Sequence, residues 1–268
     1  MMLKKAFSKE NRVLLAELVR TDFKLRYQGS VLGYAWSLLR PLLLFLILYI
    51  VFAKFLRLGD AVPNFPIYLL LGIVLWTFFS DMTNQSLGSI VGRGDLIRKI
   101  RIPRWLIIVS TSVSAFINLG LNMIVVVVFM LFSQMDLLVT SLWLPLIILE
   151  IYILGLGLSL FLAATFVKYR DISYIWEVIM QAGFYITPIL YPLSLITNVT
   201  FQKILLLNPM AQTIQDARYA VVTHETLTMH NVFENDFYRL IPIIFSVIFL
   251  IIGLWYFRRE AKDFAENL

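Results

Sequence analysis

The chain of 268 residues is more apolar and less charged than a soluble protein, with 60% hydrophobic and 15% charged residues. Soluble domains carry about half and about a quarter, so part of this surface must face lipid. The composition excludes an ordinary globular enzyme and a disordered chain, and the absence of cysteine excludes a disulfide scaffold. We expect the net charge of +6 to mark one side of a membrane, and we expect no nucleic-acid partner.

The N-terminal segment, residues 8–28, has the pattern of an amphipathic helix. Apolar residues between Leu14 and Leu25 fall on one half of the helix, and Glu10 and Glu17 fall on the opposite half. We predict that this helix lies in the cytoplasmic interface of the membrane. A solvated cap helix is the alternative.

Six apolar stretches follow, each close to the ~20 residues that cross about 30 Å of hydrocarbon. They cover residues 33–53, 65–90, 104–132, 141–167, 173–192 and 239–257. Of the 23 lysines and arginines, 18 lie on one side of these stretches. The other side carries five: Lys54, Arg57, Lys203, Arg218 and Arg239. The positive-inside rule then predicts six spans with both termini in the cytoplasm of a bacterial cell.

The connection before the last span, residues 193–238, is predicted to lie outside the cell. It carries apolar patches broken by Pro209 and other turn residues, which makes it too broken to span and too apolar for a plain loop. Short re-entrant helices packed against protein fit this pattern better. The predicted fold is therefore an all-α integral membrane protein with a single transmembrane domain over residues 1–268.

Four charged residues lie inside predicted spans: Arg40, Asp81, Glu150 and Glu177. A charge at the bilayer centre costs about 2.5–3.5 kcal/mol, so each of them needs an explanation. For Arg40 and Glu177, snorkelling near the cytoplasmic end of a span explains the charge as well as a functional role does. For Asp81 and Glu150, an interhelical hydrogen bond is the structural explanation. The sequence has no phosphate-binding loop and no metal-ligand motif. We therefore expect no catalytic residue, metal or cofactor in this chain.

The connection between the second and third spans contains a short helix, residues 94–102, with Asp95 as its expected N-cap and Pro103 as its stop. Its apolar face consists of Leu96, Ile97 and Ile100, and its basic face of Arg98, Lys99 and Arg101. A helix with two such faces is able to dock on a soluble partner. The alternative is a basic loop that only sets the topology.

The segment TDFKLRYQGSVLGYAWSLLRPLLL resembles the opening signature of permease subunits of ABC exporters for bacterial cell-surface polysaccharides. The residues that carry this resemblance are Arg26, Tyr27, Ser30, Leu32, Gly33, Trp36 and Pro41. GDLIRKIRIPR resembles the coupling helix of that family and KYRDI its second coupling loop, while FYITPILYP and LNPM match the end of the fifth span and the re-entrant region. Within the family, the chain is most similar to wall-teichoic-acid translocation permeases, followed by O-antigen and capsule permeases.

The resemblance implies a homodimer of six-span subunits with two copies of a separate ATPase, which would hold ATP and Mg²⁺. The substrate would be a lipid-pyrophosphate-linked polysaccharide. We expect the ATPase to contact residues 95–101 and also Tyr169, Arg170, Asp171, Glu10 and Glu17. Lys24, Arg26 and Arg40 are the expected contacts of the phosphate head group, because arginine can fork onto phosphate oxygens.

Aromatic faces bind sugar rings without reading their order, which suits a sliding polymer. The candidate channel residues are Tyr34, Trp36, Trp176, Phe184, Tyr185 and Tyr191, although each would also suit a membrane-interface belt or a plain core. Gly29 and Gly33 are a candidate hinge between the interface helix and the first span.

Three other functions remain open from the residues alone. One is an ABC permease for a small amphipathic drug or lipid. Another is an ion-driven transporter in which Asp81, Glu150 or Glu177 carries protons. A third is a membrane enzyme that acts on polyprenyl-linked sugars, although the acids of the predicted cytoplasmic loops are mostly isolated.

Overall fold

The computed structural model describes residues 8–26, 28–99, 102–136, 138–262 and 264, without the side chains of Arg26, Asp60, Ala61, Lys99 and Asp236. The predictions for Tyr27, Ile100 and Arg101 and for those side chains lie outside this description. Within it, every regular element is helical. The α-helices are α1 (Lys9–Arg26), α2 (Trp36–Tyr49), α3 (Phe65–Leu87), α4 (Gly94–Lys99), α5 (Trp105–Phe132), α6 (Leu144–Lys168), α7 (Ile172–Ile186), α8 (Val199–Leu206), α9 (Pro209–Val221), α10 (Met229–Phe233) and α11 (Leu240–Glu260).

Short 3₁₀ and π turns extend several of these helices. The 3₁₀ turns are Gly33–Ala35, Leu58–Ala61, Val91–Arg93, Val139–Trp143, Leu193–Leu195 and Asp236–Arg239, and a π turn covers Ile50–Phe55. With these extensions, five helical segments of the described chain are long and apolar enough to cross a membrane: Gly33–Phe55, Phe65–Leu87, Trp105–Phe132, Val139–Lys168 and Phe237–Glu260.

The fifth predicted span, residues 173–192, is the exception. Its helix α7 has 15 residues, or about 22 Å at 1.5 Å per residue, which is shorter than the ~30 Å of a hydrocarbon core. The helix ends at Ile186. The next residue, Thr187, has an extended backbone (ψ 133°), because a residue before a proline disfavours the helical conformation. The count of six spans thus stays a prediction.

Helix α3 forms the centre of the bundle. It packs against α2, α5, α6, α7 and α9, and most of its residues are buried. A helix that is buried all round needs apolar side chains on every face. This explains why α3 shows no clear polar face except at its second half.

Helices α6 and α11 approach each other at two glycines, Gly157 and Gly253. A Cβ atom on Gly157 would lie 2.5 Å from the backbone nitrogen of Leu250, so only a residue without a side chain fits there. Small residues permit this close backbone contact between membrane helices. At the far end of the pair, Lys168 of α6 forms an ion pair with Glu260 of α11.

Helix α9 is buried although it is too short to cross a membrane. All its residues except Pro209 and Tyr219 are buried, and Arg218 is fully buried (0% exposed). The Arg218 guanidinium donates hydrogen bonds to the carbonyl oxygens of Tyr68 (3.0 Å), Pro188 (2.5 Å) and Ile189 (2.6 Å). This one side chain therefore connects α9 to α3 and to the segment after α7.

Candidate functional site: an intramembrane cavity and a basic coupling surface

A cavity of about 1080 Å³ lies between α2, α3, α5 and α7. Its lining contains Ser30, Trp36, Ser37, Arg40, Pro41, Leu44, Trp76, Thr77, Ser80, Asp81, Asn84, Gln85, Asn118, Met180, Gln181, Phe184 and Tyr185. All four helices are among the apolar elements of the bundle, so a polar lining at this place is unusual for a packed core.

One wall of this cavity is polar. Asp81 of α3 accepts a hydrogen bond from the Asn118 amide of α5 (3.2 Å), and the Asn84 amide donates to the hydroxyl of Ser80 (2.9 Å). The Gln85 Nε2 atom is buried and has no hydrogen-bond partner among the described residues. The wall therefore offers amide donors and acceptors to a ligand in the cavity.

Another part of the lining is aromatic. The rings of Trp76 and Phe184 are 6.0 Å apart in an edge-to-face arrangement, and the Phe184 and Tyr185 rings are 5.5 Å apart. On α2, Trp36, Arg40 and Leu44 follow one another at a spacing of four, which places them on one face of the helix. That face lines the cavity, so a guanidinium stands among the rings.

A smaller cavity of about 380 Å³ shares Asn84 and Met180 with the large one. Its lining also includes Glu177 and Ser173 of α7 and Gly88 just after α3. These residues lie toward the end of the bundle that carries α4 and the α6–α7 connection. The two cavities therefore adjoin at Asn84 and Met180.

Helix α4 begins at Gly94, so Asp95 lies in its first turn rather than at its N-cap as predicted. An acid in that turn interacts favourably with the helix dipole. Ile97 packs against a hydrophobic cluster of the chain itself, whereas Asp95 and Arg98 are exposed. The apolar face of α4 thus anchors the helix, and charged side chains remain for a partner.

The α4 region is connected to the interface helix by an ion pair. Arg93, just before α4, bonds to the carboxylate of Asp22 in α1, and the hydroxyl of Ser110 in α5 donates to the same carboxylate (3.3 Å). Burial disfavours the charged form of the Arg93 guanidinium and so lowers its pKa. A nearby carboxylate such as that of Asp22 stabilises the charged form. The ion pair therefore connects α1 with the turn before α4.

The model of the ABC-2 type transporter family matches residues 14–222 of the chain, which is most of its length. The chain belongs to the ABC-2 type transporter family. The predicted family resemblance to permeases of polysaccharide exporters is thereby confirmed, and the chain is a multi-pass membrane protein.

Curated relatives agree with this assignment. The O-antigen export system permease protein RfbA of Myxococcus xanthus is 30% identical over 263 residues, which covers 96% of each chain. A protein of the same name from Klebsiella pneumoniae is 29% identical over 260 residues, or 95% of each chain. The polysialic acid transport protein KpsM of Escherichia coli is 23% identical over 213 residues, or 79% of this chain and 82% of the relative. The finer resemblance to wall-teichoic-acid permeases stays a prediction.

In this ABC-2 permease, the predicted channel residues divide into two groups. Trp36, Phe184 and Tyr185 line the large cavity, together with Arg40 from the predicted head-group set. Tyr34, Trp176 and Tyr191 do not line it. Their surroundings are, respectively, the ring of Phe23 of α1 (6.0 Å), a buried position in α7, and the carbonyl oxygen of Ile186, to which the Tyr191 hydroxyl donates (3.0 Å).

The other predicted residues lie at the periphery. Glu10, Glu17 and Lys24 are exposed on α1, and Tyr169, Arg170 and Asp171 are exposed in the α6–α7 connection. The Arg170 guanidinium lies 5.1 Å from the centre of the Phe166 ring. The predicted roles of these residues, contact with the head group for Lys24 and with the ATPase for the other five, stay predictions.

Gly29 and Gly33 both have positive φ angles, 76° and 50°. An added Cβ atom would meet no atom within 4 Å at either position, so the backbone conformation and not crowding favours glycine there. These two residues turn the chain between α1 and α2. Their role as a hinge stays a prediction.

The most informative residues that sequence reasoning left out of the channel are Trp76, Thr77, Ser80 and Asn118. On α3, Thr77, Ser80, Asp81 and Asn84 recur at spacings of three or four, which is one face of a helix. That spacing inside an apolar span was the available signal. Asn118 has no such pattern around it, and only the packing of α5 against α3 brings it to the cavity.

Proposed function

We propose that the chain is the transmembrane subunit of an ATP-driven exporter, and that it moves a lipid-pyrophosphate-linked polysaccharide from the cytoplasmic to the outer side of the bacterial cytoplasmic membrane. The large cavity carries the proposal, because it combines a wall of polar side chains with a wall of aromatic rings. A glycan presents hydroxyl groups and apolar ring faces, so both walls have a complementary surface on it. The names of the relatives, O-antigen export and polysialic acid transport, support the same substrate class.

The polar side chains of the cavity favour a glycan over a small amphipathic drug or lipid. The apolar part of such a ligand would cover amides among Asn84, Gln85 and Gln181 without offering them hydrogen bonds. Burying an amide without a partner is unfavourable by about 1–3 kcal/mol on mutational scales. Glycan hydroxyl groups donate and accept, and they also exchange partners easily as a polymer slides.

The placement of the acids argues against an ion-driven transporter. Asp81 lines the large cavity, Glu177 lines the smaller adjoining one, and Glu150 lines a separate pocket. A proton relay needs titratable groups within reach of one another, and none of the three cavities is lined by more than one of these three acids.

Arg40 is the proposed contact for the pyrophosphate of the lipid carrier. It is an exposed cation within the cavity lining, one turn into an apolar helix. A guanidinium forms paired hydrogen bonds with phosphate oxygens. Lys24 and Arg26 on α1 would attract the same head group toward the cavity before it enters.

The family of the chain also suggests how the complete exporter is assembled. An ABC-2 permease works with an ABC ATPase, and we propose that two copies of each subunit form the exporter, with Asp95, Arg98 and the α6–α7 connection facing the ATPase. The apolar faces of α2 and α7 that include Ile47 and Val178 are exposed on both sides of the cavity, so a second copy of this chain would close it. In this arrangement α7 with the following turn is the fifth of six spans, and both termini are cytoplasmic.

The proposal is tested with the permease and its ATPase reconstituted in vesicles. A lipid-linked polysaccharide should stimulate ATP hydrolysis, and Trp36→Ala should weaken that stimulation several-fold. Trp255→Ala is the matched control, because Trp255 is similarly exposed (59% against 44%) but lies on α11, away from the cavity. Equal stimulation of both variants, or no stimulation of the wild-type complex by any lipid-linked glycan, would contradict the proposal.

A further inference from the structure

A second pocket, of about 510 Å³, lies where α6 and α11 begin and where α9 ends. None of its lining residues belongs to the large cavity. Its apolar rim includes Trp143, Leu146 and Val247, all exposed on the surface of the bundle. These residues belong to the α6 and α11 region and not to the faces of α2 and α7 proposed to meet a second copy, so we take this pocket to open sideways to the bilayer.

Charged groups form the inner part of the pocket. Asp216 Oδ2 accepts a hydrogen bond from Arg239 Nη2 at 2.9 Å and another from the amide of Gln212. Glu150 lines the same pocket, and its Oε1 atom is buried without a hydrogen-bond partner among the described residues. The Arg239 side chain is half exposed (50%), so some of its N–H groups remain available.

These groups define the head group that would fit. Arg239 is already paired with Asp216, which leaves a purely anionic ligand little positive charge to bind. Buried carboxylate oxygens in proteins almost always have a donor, so the ligand should bring an N–H donor to Glu150. The spare N–H groups of Arg239 suit a phosphate, and the apolar rim suits acyl chains.

We propose that this pocket binds a phospholipid of the bilayer whose head group contains a primary ammonium and a phosphate, as in phosphatidylethanolamine. The ammonium donates to Glu150, the phosphate accepts from Arg239, and the acyl chains lie along Leu146 and Val247. The site is independent of the polysaccharide path, and it does not depend on which end of the bundle faces the cytoplasm. Phosphatidylcholine has no N–H donor on its head group, and phosphatidylglycerol has no cation, so both bind less well.

The test measures lipids that stay bound to the purified complex of this permease with its ATPase, by native mass spectrometry after exchange into defined mixed micelles. The wild-type complex should retain phosphatidylethanolamine about tenfold more than phosphatidylglycerol, and more than phosphatidylcholine. Glu150→Gln should remove the preference over phosphatidylcholine. Glu225→Gln, which neutralises an exposed acid of the α9–α10 connection, should leave the preference unchanged.

A second variant separates loss of the site from loss of the fold. Leu146→Trp fills the pocket from its exposed rim and leaves all three charged residues in place, so it should lower the retention of every phospholipid at this site. Thermal unfolding without added lipid verifies that both variants are folded. Equal retention of the three lipids by the wild-type complex, or wild-type retention by Glu150→Gln or Leu146→Trp, would overturn the proposal.

Discussion

Replacing Gly72 with alanine should disturb the contact between α3 and α9 more than its small size suggests. Gly72 lies on α3 beneath the buried guanidinium of Arg218, and an added Cβ atom would stand 2.5 Å from Arg218 Nη2 and 3.4 Å from Ile189 Cγ2. The guanidinium is held between that position, the Tyr68 ring at 3.7 Å and three carbonyl oxygens. It has no free direction in which to move without lengthening a hydrogen bond.

The magnitude follows from the bond that is lost first. Nη2 donates to the carbonyl oxygen of Ile189 at 2.6 Å, and it is also the atom nearest to the new methyl group. A hydrogen bond from a charged donor contributes about 1.5–3 kcal/mol, and overpacking a filled core costs about 1–3 kcal/mol. The better helix propensity of alanine offsets at most about 1 kcal/mol. We therefore expect Gly72→Ala to lower the free energy of unfolding by about 2–4 kcal/mol.

The measurement is the thermal unfolding midpoint of the purified protein in one detergent. Gly120→Ala is the control, because Gly120 lies in the middle of α5 and an added Cβ atom there meets nothing within 4 Å. The control should be as stable as the wild type or slightly more stable. If Gly72→Ala unfolds at the temperature of Gly120→Ala, the guanidinium does not hold α3 and α9 together in the way described.

Two further predictions concern contacts within the chain, and a third concerns the contact with the partner ATPase. Gly157→Ala should lower the unfolding midpoint, with about 1–3 kcal/mol lost, because its Cβ atom would lie 2.5 Å from the Leu250 nitrogen; an unchanged midpoint would rule out the close approach of α6 and α11. Asp22→Asn should lose about 1.5–3 kcal/mol relative to the exposed Asp136→Asn, since it removes the anion bonded to Arg93, and equal midpoints of the two variants would refute this. Arg98→Cys should crosslink to a cysteine on the partner ATPase, and the failure to crosslink in every nucleotide state would remove α4 from the coupling surface.

The positions of most helices follow from the sequence because apolar length and charge are local properties. Five of the six predicted stretches correspond to helices that are long and apolar enough to span. The remaining stretch, residues 173–192, differs from its prediction. The prediction counted apolar residues up to Pro192, whereas Pro188 ends the helix α7 at Ile186. A proline near the end of an apolar run shortens the helix but does not change the mean hydropathy.

The sequence predicts only part of the cavity lining, because the lining depends on how each helix is rotated against its neighbours. Trp36 and Tyr34 are two residues apart, yet only Trp36 lines the cavity, since Tyr34 precedes α2 and its ring lies beside α1. Arg218 illustrates the same limit. Its charge was used to assign a side of the membrane, whereas in the structure it is fully buried against backbone carbonyls. The pairing of Asp22 with Arg93 joins positions 71 residues apart, and no local pattern predicts such a pair.

The burial of Arg218 also constrains the order in which the protein assembles in the membrane. None of the carboxylates in the described part of the chain pairs with it. Its main hydrogen bonds go to the carbonyl oxygens of Tyr68, Pro188 and Ile189, with a longer one to the side-chain oxygen of Gln215 (3.4 Å). The three backbone oxygens come from two other segments and are brought together only after α3 and α7 have packed. We therefore expect α9 to enter the bundle only after those oxygens are in place, because the charge of Arg218 is better solvated by water until then. An insertion intermediate of this permease should accordingly contain a formed α3–α7 contact and an α9 that a protease can still reach.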